Sequence, residues 1–571
     1  MNVATAVARA LVACGIDHVF GLIGSGNFHL TNALVGFGAR YVAAVHEAGA
    51  ATMADAFARV SGRLCAVSVH QGPGVTNALT GIAEAAKSRT PLIVLAPEAT
   101  NPRSNFFVDL PGLAASIGAG FRRVRAEHAV GDAISAVRDS IGGAGQTVVL
   151  GLPLDVQAMA AGDAALLDSA GNIGEINRAG TGATNRGDAR VRIDEPLPAA
   201  DDASLSALVA ALAASQRPVF IAGRGASRGP APRISAVRDA LIALADRTGA
   251  LLAVSAAARG LFAGDPWYLD ISGGFASPLT AELVSDADLI VAWGSTLNMW
   301  TTRHGKLVSP NARIAQVDLA AGALGIARTV DVAVRGDLLD VARRSLAALA
   351  PSTGYRTPAL RDRIAAHHRW RDVPFVDDST ADHIDARTLT IALDDTLPAA
   401  RTVVVDSGNF MGYPAMLLSI PDSAGFCFTQ AFQSIGLGLA SALGASLARP
   451  DRLTVAALGD GGFLMSSAEL ATAATLGTPL VIVIYNDAAY GAEVHHFGPE
   501  GHPTDLVRFA DRDLAAIARG FGCAAATVRK PDDLSALHTW LAGPRDRPLV
   551  LDAKVTSSRA SWWLEEAFRG H

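Results

Sequence analysis

Long runs of one charge sign are missing from this 571-residue chain. Lys and Arg number 48 against 54 Asp and Glu, a formal net charge of −6, and the basic residues form no long run. Nucleic acid and anionic membrane surfaces are therefore not expected partners, because both require concentrated positive charge. Cysteine is scarce too. Cys14, Cys65, Cys427 and Cys523 are scattered without Cys-x-x-Cys spacing. That speaks against a zinc site and for a reducing compartment, so a cytoplasmic location is expected. No apolar run is long and clean enough to suggest a membrane span. The nearest, 431–448, is interrupted by Gln433 and by several Ser and Gly, and reads as the entry to a core helix. The opening MNVATAVARALVACG carries Arg9 in its middle and no basic start. It reads as an amphipathic helix rather than a secretory signal. No short-period repeat is present.

What the chain does have is apolar residues, 50% of the total, enough for several sizeable cores. Its length implies two to four domains. Short apolar runs bounded by Gly, Asn or Asp recur, as buried parallel strands do. HVFGLIG, YVAAV, LCAVSV, PLIVLA and TVVLGL mark strands in residues 1–165, with helical spacing between them at 48–61 and 75–87. PVFIAG, LLAVSA, LIVAWG and ARIAQVDL mark a second set in 203–350. TVVVDSG, LTVAAL, PLVIVIY and PLVLDAKV mark a third in 385–571. Residues 166–202 and 351–384 read as linkers, the second with a charged helix. The expectation is an α/β protein of three doubly wound parallel-sheet domains. The first and third are similar in length and pattern, a coarse internal duplication.

One stretch organises the rest: GDGGFLMSSAELATAATLGTPLVIVIYND, from Gly459 to Asp487. Strand, tight turn, helix from about Ser466 to Leu476 with Ser466 or Ser467 as its cap, then strand is the expected order. A right-handed crossover makes the two strands parallel and brings Asp460 and Asp487 to one rim. Open α/β sheets bind ligands there. Two carboxylates on one rim suit Mg²⁺, which is held by one or two carboxylates together with substrate phosphates. Gly459, Gly461 and Gly462 allow backbone N–H groups to approach a phosphate. A structural Asp-Gly turn is the plain alternative.

This block resembles the cofactor motif of the thiamine diphosphate-dependent enzymes. The resemblance implies that Asp460, Asp487 and the carbonyl of Ala489 bind Mg²⁺, with Tyr490 and Gly491 beside them. Asp487 departs from the family's usual Asn. Upstream, Glu47 in His46-Glu47-Ala48-Gly49-Ala50-Ala51 matches the family glutamate that touches the aminopyrimidine ring and begins its deprotonation. A Glu in that role belongs in a dry pocket. Gly72-Pro73-Gly74-Val75-Thr76-Asn77 resembles the turn whose Pro and Asn line the pyrimidine pocket, here Pro73 and Asn77. Ile23 and Gly24 stand in the family's early Gly-rich turn, with Ile23 in place of a frequent Pro. Ser407, Gly408 and Asn409 match a diphosphate-holding turn. In Gln433-Ser434-Ile435-Gly436, Ile435 matches the bulky residue that bends the cofactor.

The pattern as a whole is most similar to the acetolactate synthase-like branch, which also includes pyruvate oxidases and benzaldehyde lyases. The implied domains are pyrimidine-binding (1–165), central Rossmann-like (203–350) and diphosphate-binding (385–571). The implied activity is making or breaking a C–C bond next to a carbonyl, in a 2-oxo acid or related carbonyl substrate. Acetolactate synthase-like carboligation leads, with decarboxylation or aldehyde cleavage as the alternative. His70 and Gln71, which precede the pyrimidine turn, are candidates on the substrate side. His495 and His496 are further candidates for substrate-side acids or hydrogen-bond donors, and Phe107, Tyr490 and the tail pair Trp562-Trp563 are candidates to shape the acyl pocket. The resemblance leaves room for FAD, but Thr296 and Leu297 stand where the synthases carry an Arg near the flavin. The glycines of Gly223-Arg224-Gly225-Ala226 lack the full dinucleotide fingerprint, so a nicotinamide oxidoreductase is a weak rival. A non-catalytic binding subunit is a second rival, disfavoured by Glu47 and Asp460. The resemblance also implies a homodimer or homotetramer with sites at subunit interfaces.

Overall fold

The computed structural model describes residues 1–167 and 197–567. Most of the expected linker 166–202 lies outside them. No helix among the described residues is long and apolar enough to cross a membrane.

Three six-stranded sheets carry the fold, and every strand pairing within them is parallel. The first holds β1 (His18–Gly21), β2 (Arg40–Ala43), β3 (Cys65–Ser68), β4 (Leu92–Glu98), β5 (Gly120–Arg123) and β6 (Thr147–Pro153). Its order is β2-β1-β3-β4-β6-β5. The second holds β7 (Pro218–Ala222), β8 (Leu251–Val254), β9 (Tyr268–Ile271), β10 (Leu289–Trp293), β11 (Arg313–Asp318) and β12 (Val332–Arg335). Read from its other edge, the order is β9-β8-β7-β10-β11-β12, the Rossmann arrangement. The third holds β13 (Arg401–Val405), β14 (Phe426–Phe428), β15 (Leu453–Gly459), β16 (Leu480–Asn486), β17 (Ala524–Val528) and β18 (Leu549–Lys554). Its order, β14-β13-β15-β16-β18-β17, repeats that of the first sheet strand for strand. The internal duplication seen in the sequence is therefore a duplication of topology.

The strands are apolar on both sides because helices cover both sides. In β7, Phe220 and Ala222 enter one apolar cluster while Val219 and Ile221 enter another, as side-chain alternation requires.

The chain divides into two compact bodies. One comprises 1–196 with 429–448 and 468–476; the other comprises 197–428, 449–467 and 477–571. Two helices that follow third-sheet strands in sequence thus belong with the first sheet. Gly438–Ala448 packs on Glu47–Ser61, and a Cβ on Gly444 would overlap the carbonyl of Met53.

The organising stretch differs from expectation in one respect. The helix begins at Asp460 itself and runs to Ser466, followed by a 3₁₀ turn, Ser467–Glu469, and a second helix, Leu470–Leu476. Neither Ser466 nor Ser467 caps a helix start; Gly459 stands at the N-cap and Ser467 at the C-cap of the first helix. The two serine hydroxyls donate back to the carbonyls of Gly462 and Leu464, the usual use of a serine inside a helix.

Candidate active site

In a sheet of order 2-1-3, the chain leaves strands 1 and 3 in opposite directions, and a crevice opens between them at their carboxyl ends. The first sheet places the turns after β1 and β3 there, which carry Ile23-Gly24 and His70-Gln71. The third sheet places the turns after β13 and β15 there, which carry Ser407-Gly408-Asn409 and Gly459-Asp460. The candidate residues thus fall into two sets, one on each body, at equivalent points of two copies of one topology.

On the first body, Asn27 holds the turn after β1. It is fully buried, accepts from the Gly24 N–H at 2.8 Å, and donates to the Leu22 carbonyl and the Ser68 hydroxyl. Gly24 and Gly26 then lie directly on the neighbouring turn. A Cβ at 24 would sit 2.6 Å from His70 Nδ1, and one at 26 would overlap Gln71 Oε1. Only glycine fits this approach. Gln71 Oε1 is buried without a hydrogen-bond partner. Gly72, at φ +62°, turns the chain into the Pro73–Lys87 helix, where Pro73 occupies the first position.

Glu47 is the first residue of the Glu47–Ser61 helix and is 6% exposed. Asn77 Nδ2 donates to its Oε2 at 3.1 Å. Its other oxygen faces Gly74, where a Cβ would be 3.4 Å from Glu47 Oε1 and 3.0 Å from His70 Cβ. Glu47, His70 and Asn77 are therefore neighbours around one glycine. The helix start is held twice. His46 Nδ1 accepts from the Ala48 N–H at 3.1 Å, and the buried Glu469 carboxylate accepts from the N–H groups of Val45 and His46. A second buried acid, Glu84, accepts from the N–H groups of Ala431 and Phe432 at 3.1 and 2.7 Å. It thereby seats the turn with Gln433, at φ +63°, and Ile435 on the first body.

On the second body, β15 delivers Asp460 and β16 delivers Asp487. Asn486 donates to Asp552 at 2.8 Å and anchors the end of β16. The next residues turn back along 507–509: the Tyr490 N–H donates to Val507 O and the Phe509 N–H to Ala488 O. This flanking pattern makes Ala489 and Arg508 a non-hydrogen-bonded antiparallel pair. The N–H and C=O of Ala489 accordingly point away from Arg508, and its N–H reaches both the Asp460 and the Asp487 carboxylates. Burial, reinforced by Asp487, pushes the Asp460 carboxyl up to about 7. Burial likewise pushes Asp487 up to about 6, against hydrogen bonds from the backbone and Asn409.

Two converging carboxylates, Asp460 buried and Asp487 half-buried, neither ion-paired among the described residues, and a carbonyl turned the same way form an oxygen donor set for a hard divalent cation. Mg²⁺ fits these residues. A cavity of about 440 Å³ adjoins them, lined in part by Gly461, Leu464, Met465, Tyr490, Arg508 and Phe509.

Three family models match in order: the N-terminal TPP binding domain of thiamine pyrophosphate enzymes over residues 1–109, their central domain over 205–345, and their C-terminal TPP binding domain over 406–553. The chain belongs to the thiamine diphosphate-dependent enzymes. It is 30% identical to a probable 2-ketoarginine decarboxylase of Pseudomonas aeruginosa, over 93% of this chain and 90% of that protein. It is 26% identical to the large subunit of acetolactate synthase isozyme 2 of Escherichia coli, over 99% and 97%. A sulfoacetaldehyde acetyltransferase of Castellaniella defragrans is 26% identical over 94% and 89%. The solved structure of a Rhodococcus jostii thiamine diphosphate-dependent 4-hydroxybenzoylformate decarboxylase superposes with a TM-score of 0.77 at 21% identity, covering 98% of this chain and all of that one. The protein is thus a thiamine diphosphate-dependent enzyme of the acetolactate synthase-like branch, and thiamine diphosphate is its cofactor.

Several residues stand apart from these sets. In the central sheet a Cβ on Gly225 would lie 2.8 Å from Gly294 Cα. The Gly223–Ala226 glycines serve close packing of the turns after β7 and β10. Phe107 is 39% exposed. His495 lies on the short Gly491–Phe497 helix with a buried, unpartnered Nε2, and burial lowers its pKa. Trp563 donates to the Asn409 carbonyl at 2.9 Å. Asn27, Glu84 and Glu469 escaped the sequence reading. The last had one signal, a lone acid in the small apolar run SSAELATAA.

Proposed function

We propose that this enzyme cleaves the bond between the keto carbon and the carboxylate of a 2-oxo acid and transfers the remaining acyl unit to a second carbonyl compound. The observation that carries the reading is Glu47: a nearly buried carboxylate at a helix start, held by Asn77 and adjoining His70. Bound thiamine diphosphate supplies the carbon nucleophile and the electron sink. Glu47 holds and returns a proton at the pyrimidine ring, and Asn77 fixes its orientation. Pro73, Ile23, Gly24, Gln433 and Ile435 surround the pyrimidine and set its angle. Asp460, Asp487 and the Ala489 carbonyl hold Mg²⁺, while the Gly459–Gly462 backbone and the Ser407–Asn409 turn hold the diphosphate. Tyr490 and Gly491 close that end. His70 and Gln71 face the substrate as proton donor and hydrogen-bond donor. In this reading residues 1–165, 203–350 and 385–571 are the pyrimidine, central and diphosphate domains.

Simple decarboxylation is the second reading, supported by the similarity to the 2-ketoarginine decarboxylase. A panel of 2-oxo acids, with CO₂ release and product mass followed together, separates the two. A product larger than the acyl unit supports transfer. CO₂ with the free aldehyde alone supports decarboxylation. No CO₂ from any 2-oxo acid, with the cofactor bound, overturns both.

We further propose that a complete site needs two copies of the chain, one giving its pyrimidine set and the other its diphosphate set. The assembly is then a two-fold dimer or a dimer of such dimers.

A further inference from the structure

We propose that the C-terminal segment Ser561–Trp563 is a positioning latch for Asp487, acting through the amide of Asn409; the inference rests on the reading of Asp487 as a metal ligand. Asn409 opens the short 3₁₀ turn after β13. Its side chain has two unlike ends, an acceptor oxygen and a donor NH₂. The oxygen accepts from the Ser561 hydroxyl at 2.9 Å and from the Ser561 N–H at 3.4 Å. The NH₂ end is thereby committed to the opposite side, where it faces the Asp487 carboxylate across Gly491: a Cβ there would sit 2.3 Å from Asp487 Oδ2 and 3.0 Å from Asn409 Nδ2. The Asn409 main-chain carbonyl is held as well, by Trp563 Nε1 at 2.9 Å.

The latch is built into the fold rather than laid on it. Ser561 is 1% and Trp563 7% exposed. The Trp563 ring lies against the Cα of Gly412, where any Cβ would overlap it. The preceding Trp562 stacks beneath the Arg303 guanidinium at 4.5 Å and packs edge-on to Trp370 at 5.7 Å. Trp370 in turn donates to the Phe275 carbonyl at 2.7 Å. Loops of the central sheet therefore hold the segment that orients Asn409.

The chemistry gives the latch its effect. An Asn side chain can rotate by half a turn and exchange its two ends. Without the Ser561 donors the preference for an outward oxygen is lost, and an inward oxygen would face the Asp487 carboxylate with like partial charge. The carboxylate would lose the Asn409 donor and the orientation that donor sets. Partners of metal ligands at this remove typically change metal affinity by about 10- to 100-fold.

The test is Mn²⁺ binding to the full chain with saturating thiamine diphosphate, read from the electron paramagnetic resonance signal of free Mn²⁺, with thermal unfolding measured in parallel. Ser561→Ala and Trp563→Phe are expected to weaken Mn²⁺ binding by about tenfold or more. Ser561→Thr, which keeps the hydroxyl, is expected to bind as the wild type does. A segment that only stabilises the fold would lower the melting temperature and leave Mn²⁺ affinity unchanged, and that result overturns the latch. Asp460→Ala separates the two levels. If it loses Mn²⁺ while both tail variants bind normally, the metal site stands and the latch falls. If Asp460→Ala itself binds Mn²⁺ like the wild type, the metal-site reading fails and takes the latch with it.

Discussion

Glu47 and Asp487 bear the two sharpest expectations at the level of single residues. Glu47→Gln is nearly isosteric and keeps an acceptor for Asn77, so the chain should fold and retain cofactor. Loss of the proton-holding group should lower turnover by about 10²- to 10⁴-fold. Hydrogen–deuterium exchange at C2 of bound cofactor checks this directly, and unchanged exchange would sink the assignment. Asp460 and Asp487 both have carboxyls raised above the ordinary 3.8, to about 7 and about 6. Without cation the folded chain then binds more protons than the unfolded chain across that interval. Stability of the cofactor-free protein should therefore fall as pH rises from about 4 to about 7. Metal binding needs both groups ionised, so Mg²⁺ affinity should rise over the same interval. Asp487→Asn removes one of the repelling charges and should flatten the stability profile while keeping metal binding with cofactor present. Asp460→Ala should abolish it. Melting curves against pH, with and without Mg²⁺ and cofactor, measure both trends.

At the level of elements, the contact between Gly438–Ala448 and Glu47–Ser61 decides where Glu47 stands. Gly444 lies against the Met53 backbone with no room for a side-chain atom. Gly444→Ala should force the helices apart and destabilise the fold by about 1–3 kcal/mol, the range for overpacking. Gly36, also helical, has nothing within 4 Å of an added Cβ. Gly36→Ala should be neutral or stabilise by up to about 1 kcal/mol. Equal effects at the two positions would remove the packing explanation. Elements also mark how far the sequence could be read. The inner strands were legible as apolar runs because helices bury both their sides. β5, β9, β12, β14 and β17 were not, and all five are sheet edges. GFRR in β5 carries two arginines, and VAVR in β12 alternates buried with exposed. Three- to five-residue strands covered on one side offer too little apolar sequence to stand out.

For the whole molecule, the two sets of site residues lie on separate bodies, and the proposed dimer gives a decisive experiment. Glu47→Gln and Asp460→Ala are each expected to be inactive. After subunit exchange, a mixed dimer holds one site with both lesions and one with neither. Up to about half of wild-type dimer activity should return in that species, by two-fold symmetry. Mass spectrometry of tagged chains confirms exchange. Mixed dimers without activity, or an active monomer in sedimentation, would exclude the shared site.

The cofactor motifs were legible in the sequence by itself because each is a strand end followed by a turn. Asp460, Asp487, Glu47 and Asn77 owe their positions to local chain direction, and a parallel sheet carries all strand ends to one rim. The same locality made the Rossmann-like centre and the duplicated outer sheets readable. Only the tertiary structure decided what holds those residues in place. Glu469 reaches back 424 residues to Val45, Glu84 reaches forward 347 to Ala431, and Ser561 reaches back 152 to Asn409. None has a sequence period or a neighbouring motif to announce it. Each is a buried hydrogen bond between distant segments, and such a bond is settled only when packing has excluded water from both partners.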